Sequence, residues 1–419
     1  MKIINQLFFI YYRTLKAFKN IKKASFIMLQ SIILISLIQI ISCQTFKKET
    51  KKTPTDIENN ETKESMAPKQ YSWPSQMQQL TQHLLDLLPT LTDPKATTDS
   101  DRKKLFESQI IELKQIAHNI NENTVAPDQD PTLKLIGRRF EDNLKLSLES
   151  FETGHIEFSR TVFKNALAQC VQCHTRTNVG PALAQPQFVT TLQKVAIVER
   201  VQFLIASRYF DDAMKEISTA LQNGSNLSIV AWQKLVQMGL IINVRFRNDV
   251  KKSQQFLQLL TQNKDVPFFI KRHIPFWKQS IKEWSRKEKP AASLAAAEQM
   301  VKRADSSQKA SRGEGGTIEY LRAASLLHQF LIKSQAPSVK SEALLQLGTI
   351  YENIGEIGAW SMNEDYYELC IRTSPHSSIA KKCFEKFKES TIAGYSGTSG
   401  LNLPEDVQKR MLELRAIAL

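Results

Sequence analysis

Apolar residues recur every three to four positions along most of the chain, which is the spacing of one buried helix face. Four such stripes precede residue 178, separated by Pro89 and Pro94, by the polar residues 121–131 and by Gly154. Four helices joined by short loops predict an up-down-up-down bundle over residues 71–178. The stripes are Met77, Leu80, Leu84 and Leu87; Phe106, Ile110, Leu113, Ala117 and Ile120; Leu133, Ile136, Phe140, Leu144, Leu148 and Phe151; and Phe163, Leu167, Cys170 and His174.

Helical spacing resumes after the proline-containing residues 179–190 and continues to about residue 390. Two stretches, 194–222 and 341–376, resemble tetratricopeptide repeats, which pair two helices per repeat. The first contains Arg208-Tyr209-Phe210-Asp211-Asp212-Ala213, and the second contains Leu347-Gly348 followed by Tyr351. This resemblance implies an α-solenoid over residues 191–390 whose concave surface binds proteins. An irregular all-α domain is the alternative.

Two polar, glycine-containing segments, 303–316 and 391–402, predict loops. The second leads into a short helix that begins near Leu403-Pro404 and completes residues 391–419. The predicted fold class is therefore all-α, with a four-helix bundle followed by helical repeats. Cys370 and Cys383, thirteen positions apart, could form a disulfide in an oxidising compartment or remain buried thiols.

The first 42 residues have the composition of a secretory signal. Six basic residues without an acid precede the almost wholly apolar stretch 25–42, and Cys43 follows. Ile40-Ile41-Ser42-Cys43 resembles the lipobox of bacterial lipoproteins, which implies a lipid on Cys43 and an anchor in the bacterial cell envelope, facing the periplasm. A single transmembrane anchor is the alternative, because the apolar run is near spanning length. The polar residues 43–70 predict a flexible, lipidated tether.

Charge changes this picture only slightly. Removal of residues 1–42 lowers the formal net charge from +14 to +8, because that segment holds six basic residues and no acid. A moderate positive charge favours an anionic membrane surface or an acidic partner. Export and the lack of a nucleic-acid-binding motif predict no nucleic-acid partner.

Residues 170–174 read Cys-Val-Gln-Cys-His, the pattern at which c-type haem is attached. Two thiols at this spacing can form thioethers with the two vinyl groups of one porphyrin, and the adjacent histidine can bind the iron. The pattern predicts one haem c, held by Cys170 and Cys173, with His174 as proximal iron ligand. Zinc would need four ligands, and the other downstream cysteines are distant in sequence. A thioredoxin-like redox pair and a local disulfide are the remaining alternatives.

A four-helix bundle whose last helix ends in this motif resembles the class II c-type cytochromes, the cytochrome c-prime family. The run from Phe163 to His174 is similar to that family's haem helix, and the resemblance covers about a quarter of the chain. It implies that Phe163 and Leu167 pack against haem. Gly180-Pro181 resembles a loop of the class I cytochromes, which is the alternative family.

An up-down-up-down topology places the end of the fourth helix beside the start of the first and the end of the second. Met77 lies on the apolar face of the first helix, His118 near the end of the second, and His83 about 9 Å deeper than Met77. Some members of the resembled family use a first-helix methionine as sixth ligand, and others leave the iron five-coordinate. We therefore predict Met77 as distal ligand. The alternatives are His118 or His83, an open position, and a Met77 that only packs in the core.

These expectations predict a membrane-anchored c-type cytochrome that transfers one electron and docks to a redox partner protein through its repeats. Haem-based binding of NO or CO, which needs an open iron position, is one alternative. An envelope scaffold lipoprotein whose repeats bind protein partners is another. A peroxidase-type enzyme would also need an acid-base residue, for which His118 is the candidate. The resemblance to class II bundles also allows a homodimer.

Overall fold

The computed structural model describes residues 72–92, 99–124, 130–176, 192–286, 290–333, 335–354, 362–398 and 400–419. Most of these residues are helical, which confirms the predicted all-α class. The predicted signal peptide, Cys43 and the tether lie outside the described residues. No helix in the described ranges combines the length and apolar character needed to cross a membrane.

The four N-terminal stripes form helices close to the predicted positions, and each helix packs against the next. The carboxylates of Asp99 and Asp130 accept hydrogen bonds from the first backbone N–H groups of the second and third helices, which fixes where these helices begin. The first helix continues past Pro89, where we expected it to end. A proline removes one backbone hydrogen bond from a helix, and here this loss does not end the helix. The bounds are α1 Trp73–Thr92, α2 Ser100–Asn123, α3 Pro131–Glu152 and α4 Ile156–His174.

The remaining helices run from residue 197 to the C-terminus: α5 Ile197–Ala206, α6 Phe210–Gln222, α7 Ile229–Leu240, α8 Val250–Gln262, α9 Phe268–Lys271, α10 Ile274–Arg286, α11 Leu294–Ser311, α12 Thr317–Leu331, α13 Pro337–Asn353, α14 Met362–Thr373, α15 Ser378–Tyr395 and α16 Glu405–Ala418. A π-helical segment, Ile241–Phe246, continues α7 directly. Short 3-10 turns lie at Leu192–Lys194, Gly224–Asn226 and Glu314–Gly316. Strand β1, Ser396–Gly397, pairs antiparallel with β2, Gly400–Leu401, and places Ser396 opposite Leu401.

Both predicted loops are wrong in extent. Most of 303–316 is helical because α11 continues to Ser311, and α15 likewise continues to Tyr395. Polar composition was misleading there, since alanine, lysine and glutamine favour helices and serine can bond its own helix backbone. The Ser306 hydroxyl, for example, donates to the Lys302 carbonyl at 3.0 Å.

One apolar core runs through the N-terminal and C-terminal helices, and the described residues belong to one compact unit. Helix α4 packs on α5, and Arg139 of α3 forms an ion pair with Asp365 of α14. Helices α13 and α14 approach closely at Gly348, where an added Cβ would come within 2.2 Å of the Tyr367 ring. The predicted boundary between the two domains, near residues 178–191, lies outside the described residues.

A disulfide joins Cys370 of α14 to Cys383 of α15. Both residues are fully buried, so the bond crosslinks two packed helices inside the core. The sequence separation had left a disulfide and two thiols equally open, and the structure selects the disulfide. Cys170 and Cys173 are free thiols.

Candidate functional site

A mostly apolar cavity of about 50 Å³, partly open to solvent, lies among the first four helices. It has room for a few water molecules and would have to widen to admit a cofactor, since cofactor sites typically have volumes of roughly 300–1,000 Å³. Four helices and the end of α5 form its wall. The wall residues are Trp73, Met77, Leu80, Thr81 and Leu84 of α1; Ala117 and Ile120 of α2; Leu133, Ile136, Gly137 and Phe140 of α3; Gln169, Cys170, Cys173 and His174 of α4; and Ala206 of α5.

The attachment motif and the preferred distal ligand line this same cavity. Cys170 and His174 are four residues apart on α4 and therefore share one face of the helix, with Cys173 beside them. Met77 comes from α1 and is half-buried. Two thiols, one imidazole and one thioether sulfur thus meet on a wall that is otherwise mostly apolar.

The two histidines proposed as other distal ligands do not line the cavity. His118 Nδ1 lies 3.0 Å from Glu141 Oε1, and the His118 side chain is 51% exposed. His83 Nδ1 lies 2.8 Å from Gln109 Oε1 and 2.9 Å from Glu112 Oε2. Among the residues considered as distal ligands, Met77 is the one that the structure places in the wall.

Phe163 and Leu167 are fully buried on α4 but do not contribute to the cavity wall. The Phe163 ring packs in the core, with its centroid 6.0 Å from that of Phe106. Their packing against haem therefore stays a prediction. The aromatic side chains of the wall are Trp73 and Phe140, and the sequence patterns had identified only Phe140, as a member of one apolar stripe.

The apolar surroundings keep the motif side chains neutral. Burial raises the pKa of the Cys170 thiol to about 12 and that of Cys173 to about 11. A redox-active or nucleophilic cysteine needs the opposite shift, toward the thiolate. Burial, strengthened by the charge of Arg208, lowers the pKa of His174 to about 4, so its imidazole is neutral at physiological pH. Neutral imidazole is the form that binds metals.

The polar atoms of the motif fit an attached haem. Nδ1 of His174 is buried without a hydrogen-bond partner, which is unusual for a ring nitrogen and calls for an explanation. A neutral imidazole, two free thiols and a methionine sulfur on one mostly apolar cavity are side chains that could hold a covalently attached haem. No group of three His, Cys, Asp or Glu side chains suited to a metal ion occurs in the described ranges.

A polar cluster, absent from our sequence predictions, holds the chain directly after the motif. Thr175 Oγ1 accepts a hydrogen bond from the guanidinium of Arg245. Arg245 and Arg176 each donate to the Tyr351 hydroxyl at 3.3 Å, and Arg176 also donates to Thr132 Oγ1 at 2.8 Å. Arg245 is 3% exposed and belongs to the π-helical segment. In the sequence, Arg245 stands out only as a cation within the mostly apolar segment 241–246.

Comparison with known proteins returns no matching family model, no matching curated protein and no matching solved structure. The function of this chain is therefore inferred from the motif, the cavity and the chemistry of the residues that line it.

Proposed function

We propose that this chain is an exported c-type cytochrome that binds one haem c in the apolar cavity and transfers single electrons. The observation that carries the proposal is the presence of Cys170, Cys173, His174 and Met77 on the wall of one cavity. These residues come from two helices separated by almost a hundred positions. A motif that occurred by chance would have no reason to face an apolar cavity whose wall also contains a methionine sulfur.

Each residue has a distinct role in this proposal. Cys170 and Cys173 supply the thioether bonds, His174 the proximal nitrogen and Met77 the distal sulfur. A bound haem supplies a one-electron iron couple, which Met/His ligation moves to high potential. The leucine, isoleucine and aromatic side chains make the wall mostly apolar, although the cavity is partly open to solvent. Filled axial positions and an apolar wall favour electron transfer over binding of NO or CO.

The finer architecture that we propose is a class II-like bundle of α1–α4 followed by tetratricopeptide-like hairpins. The successive packing of α1–α4, the pair α5 and α6, and the close pair α13 and α14 support it. The hairpin region would dock the redox partner protein. Exposed apolar side chains are available there, including Phe268, which is 80% exposed, and Ile229, which is 66% exposed.

We further propose that Cys43 carries a lipid and that residues 43–70 tether the folded part to the membrane of the cell envelope. The Cys370–Cys383 disulfide supports export, because disulfides persist mainly in oxidising compartments. Attachment of c-type haem outside the cytoplasm agrees with the same location.

The test is a visible absorption spectrum of the chain expressed with haem-attachment machinery, recorded oxidised, reduced with dithionite, and reduced under CO. We expect covalently bound haem and low-spin bands that CO does not change. Absence of covalent haem in the folded protein would refute the cytochrome and leave the envelope scaffold. A high-spin spectrum that shifts with CO would indicate an open position and favour gas binding.

Met77→Ala tests the distal ligand. We expect this variant to become high-spin, to bind CO and to have a lower midpoint potential, because the sulfur ligand is lost. His118→Ala is the matched control, since His118 lies outside the wall and faces Glu141. An unchanged spectrum and potential in Met77→Ala would show that Met77 only packs in the core.

A further inference from the structure

A second pocket lies among α10, α11 and α12, in the C-terminal part of the chain. It has a volume of about 110 Å³ and differs from the apolar cavity among α1–α4 in being lined by charged side chains. An adjoining pocket shares part of this lining, so the two form one continuous depression. The lining residues used below are Ser280, Trp284, Met300, Arg303, Glu319 and Arg322.

Glu319 supplies a buried acceptor that lacks a donor. Its side chain is 4% exposed, and its Oε2 atom has no hydrogen-bond partner. Burial raises the pKa of Glu319, whereas a hydrogen bond from Ser280 lowers it. A buried carboxylate oxygen is normally satisfied, so an unpaired one that borders a pocket indicates a missing donor.

Two guanidinium groups border the same pocket. Arg322 lies over the Trp284 ring, 4.6 Å from its centroid, which holds the planar group in place. In the described part of the chain, neither Arg303 nor Arg322 forms an ion pair or a hydrogen bond, although both interact electrostatically with Glu319. Burial lowers the pKa of Arg322 to about 10, so it stays charged at neutral pH. Guanidinium forks bind carboxylates with two parallel hydrogen bonds.

We propose that this pocket binds a small zwitterion of the amino-acid class, with its ammonium at Glu319 and its carboxylate at Arg303 and Arg322. A simple anion would leave the Glu319 oxygen unpaired, and a simple amine would leave both guanidiniums unpaired. Trp284 and Met300 give the pocket an apolar side, which favours ligands with an aliphatic side chain. The site uses none of the residues of the haem cavity.

The test is isothermal titration calorimetry of the purified full-length chain with leucine, methionine and valine. N-acetylleucine, which lacks the ammonium group, and leucinamide, which lacks the carboxylate, test the two ends of the ligand. We expect saturable binding of at least one amino acid and about tenfold or greater weakening for both derivatives. Glu319→Gln, which keeps the side-chain shape, should weaken binding by about the same factor.

Glu298→Gln is the matched control, because this exposed residue of α11 pairs with Lys302 and does not line the pocket. Arg322→Lys, which keeps the charge but loses the fork, should weaken binding through the carboxylate. Failure of all three amino acids to bind would refute the proposal, as would binding that Glu319→Gln leaves unchanged. Equal binding of leucine and N-acetylleucine would show a site for simple carboxylates and overturn the zwitterion class.

Discussion

A substitution that fills the cavity without changing a proposed iron ligand should stabilise the haem-free protein and hinder haem attachment. Ala117 lies on the cavity wall and is 2% exposed, and Ala117→Leu adds three carbons beside a cavity of about 50 Å³. At ~0.8 kcal/mol per buried CH₂, their burial adds up to about 2.4 kcal/mol to the unfolding free energy of the haem-free chain. The actual gain should be nearer ~1–2 kcal/mol, because the cavity is partly open to solvent. Leucine also suits a helix interior.

The same three carbons occupy space that a haem would need. If haem binds in this cavity, Ala117→Leu should reduce the fraction of chain that carries covalent haem. Urea unfolding of the haem-free protein and a haem stain of the protein expressed with attachment machinery measure the two effects separately. The matched control is Ala213→Leu, since Ala213 is fully buried on α6 and does not line the cavity. Overpacking there should cost ~1–3 kcal/mol and leave haem attachment to the folded protein unchanged.

Comparing Ala117→Leu with Ala213→Leu therefore shows whether Ala117 borders usable space or a packed core. Destabilisation of the haem-free protein by Ala117→Leu, comparable to that by Ala213→Leu, would show that no usable space exists beside Ala117. Normal haem content in Ala117→Leu would place the haem elsewhere. Either result would refute the assignment of the cavity, even if the motif itself still bound haem.

Three further predictions concern the rest of the fold. Replacing Cys370 and Cys383 together by alanine should cost about 3 kcal/mol of unfolding free energy, the loop-closure value for a loop of this length, and should abolish the effect of a reductant on urea unfolding. Burial holds the pKa of His328 well below 6.5, so the unfolded chain takes up a proton first and stability should fall as the pH drops below about 6.5. Because burial also lowers the pKa of His174 and His273, His328→Phe should reduce this dependence without abolishing it, measured as urea midpoints against pH. Arg245→Met should destabilise the protein by ~1.5–3 kcal/mol, because Thr175 and Tyr351 each lose a charged donor; a change below ~0.5 kcal/mol would contradict the contacts.

Local patterns predicted most of the N-terminal helices because each depends on residues near in sequence. The stripe from Leu133 to Phe151 places both ends of α3 within a few residues of the observed ones. The prediction that Met77 lies near the end of α4 came from combining its stripe with the expected bundle topology, and Met77 does line the same cavity as His174. The loop prediction for residues 303–316 was wrong because its residues are polar but compatible with a helix. Composition alone does not show which backbone groups find helical hydrogen-bond partners.

Contacts between distant residues could not be predicted in this way. Nothing near Thr175 in sequence indicates that a buried arginine seventy positions later will bond its hydroxyl. The unpaired oxygen of Glu319 is likewise visible only once three helices enclose it. The disulfide between Cys370 and Cys383 depends on how α14 and α15 pack against each other. The separation of the two cysteines in sequence does not show that packing.

These distant contacts change how the candidate site should be understood. The sequence suggested a self-contained bundle with a separate docking region, yet Ala206 of α5 completes the cavity wall and the backbone of Ile205 and Ala206 contacts the His174 ring. One residue after His174, the hydroxyl of Thr175 accepts a hydrogen bond from Arg245, which also donates to Tyr351 of α13. The side of the cavity that holds His174 is therefore built partly by helices of the proposed docking region. A partner that binds those helices would contact elements that position the proximal ligand, so docking and the electronic properties of the site would be physically linked.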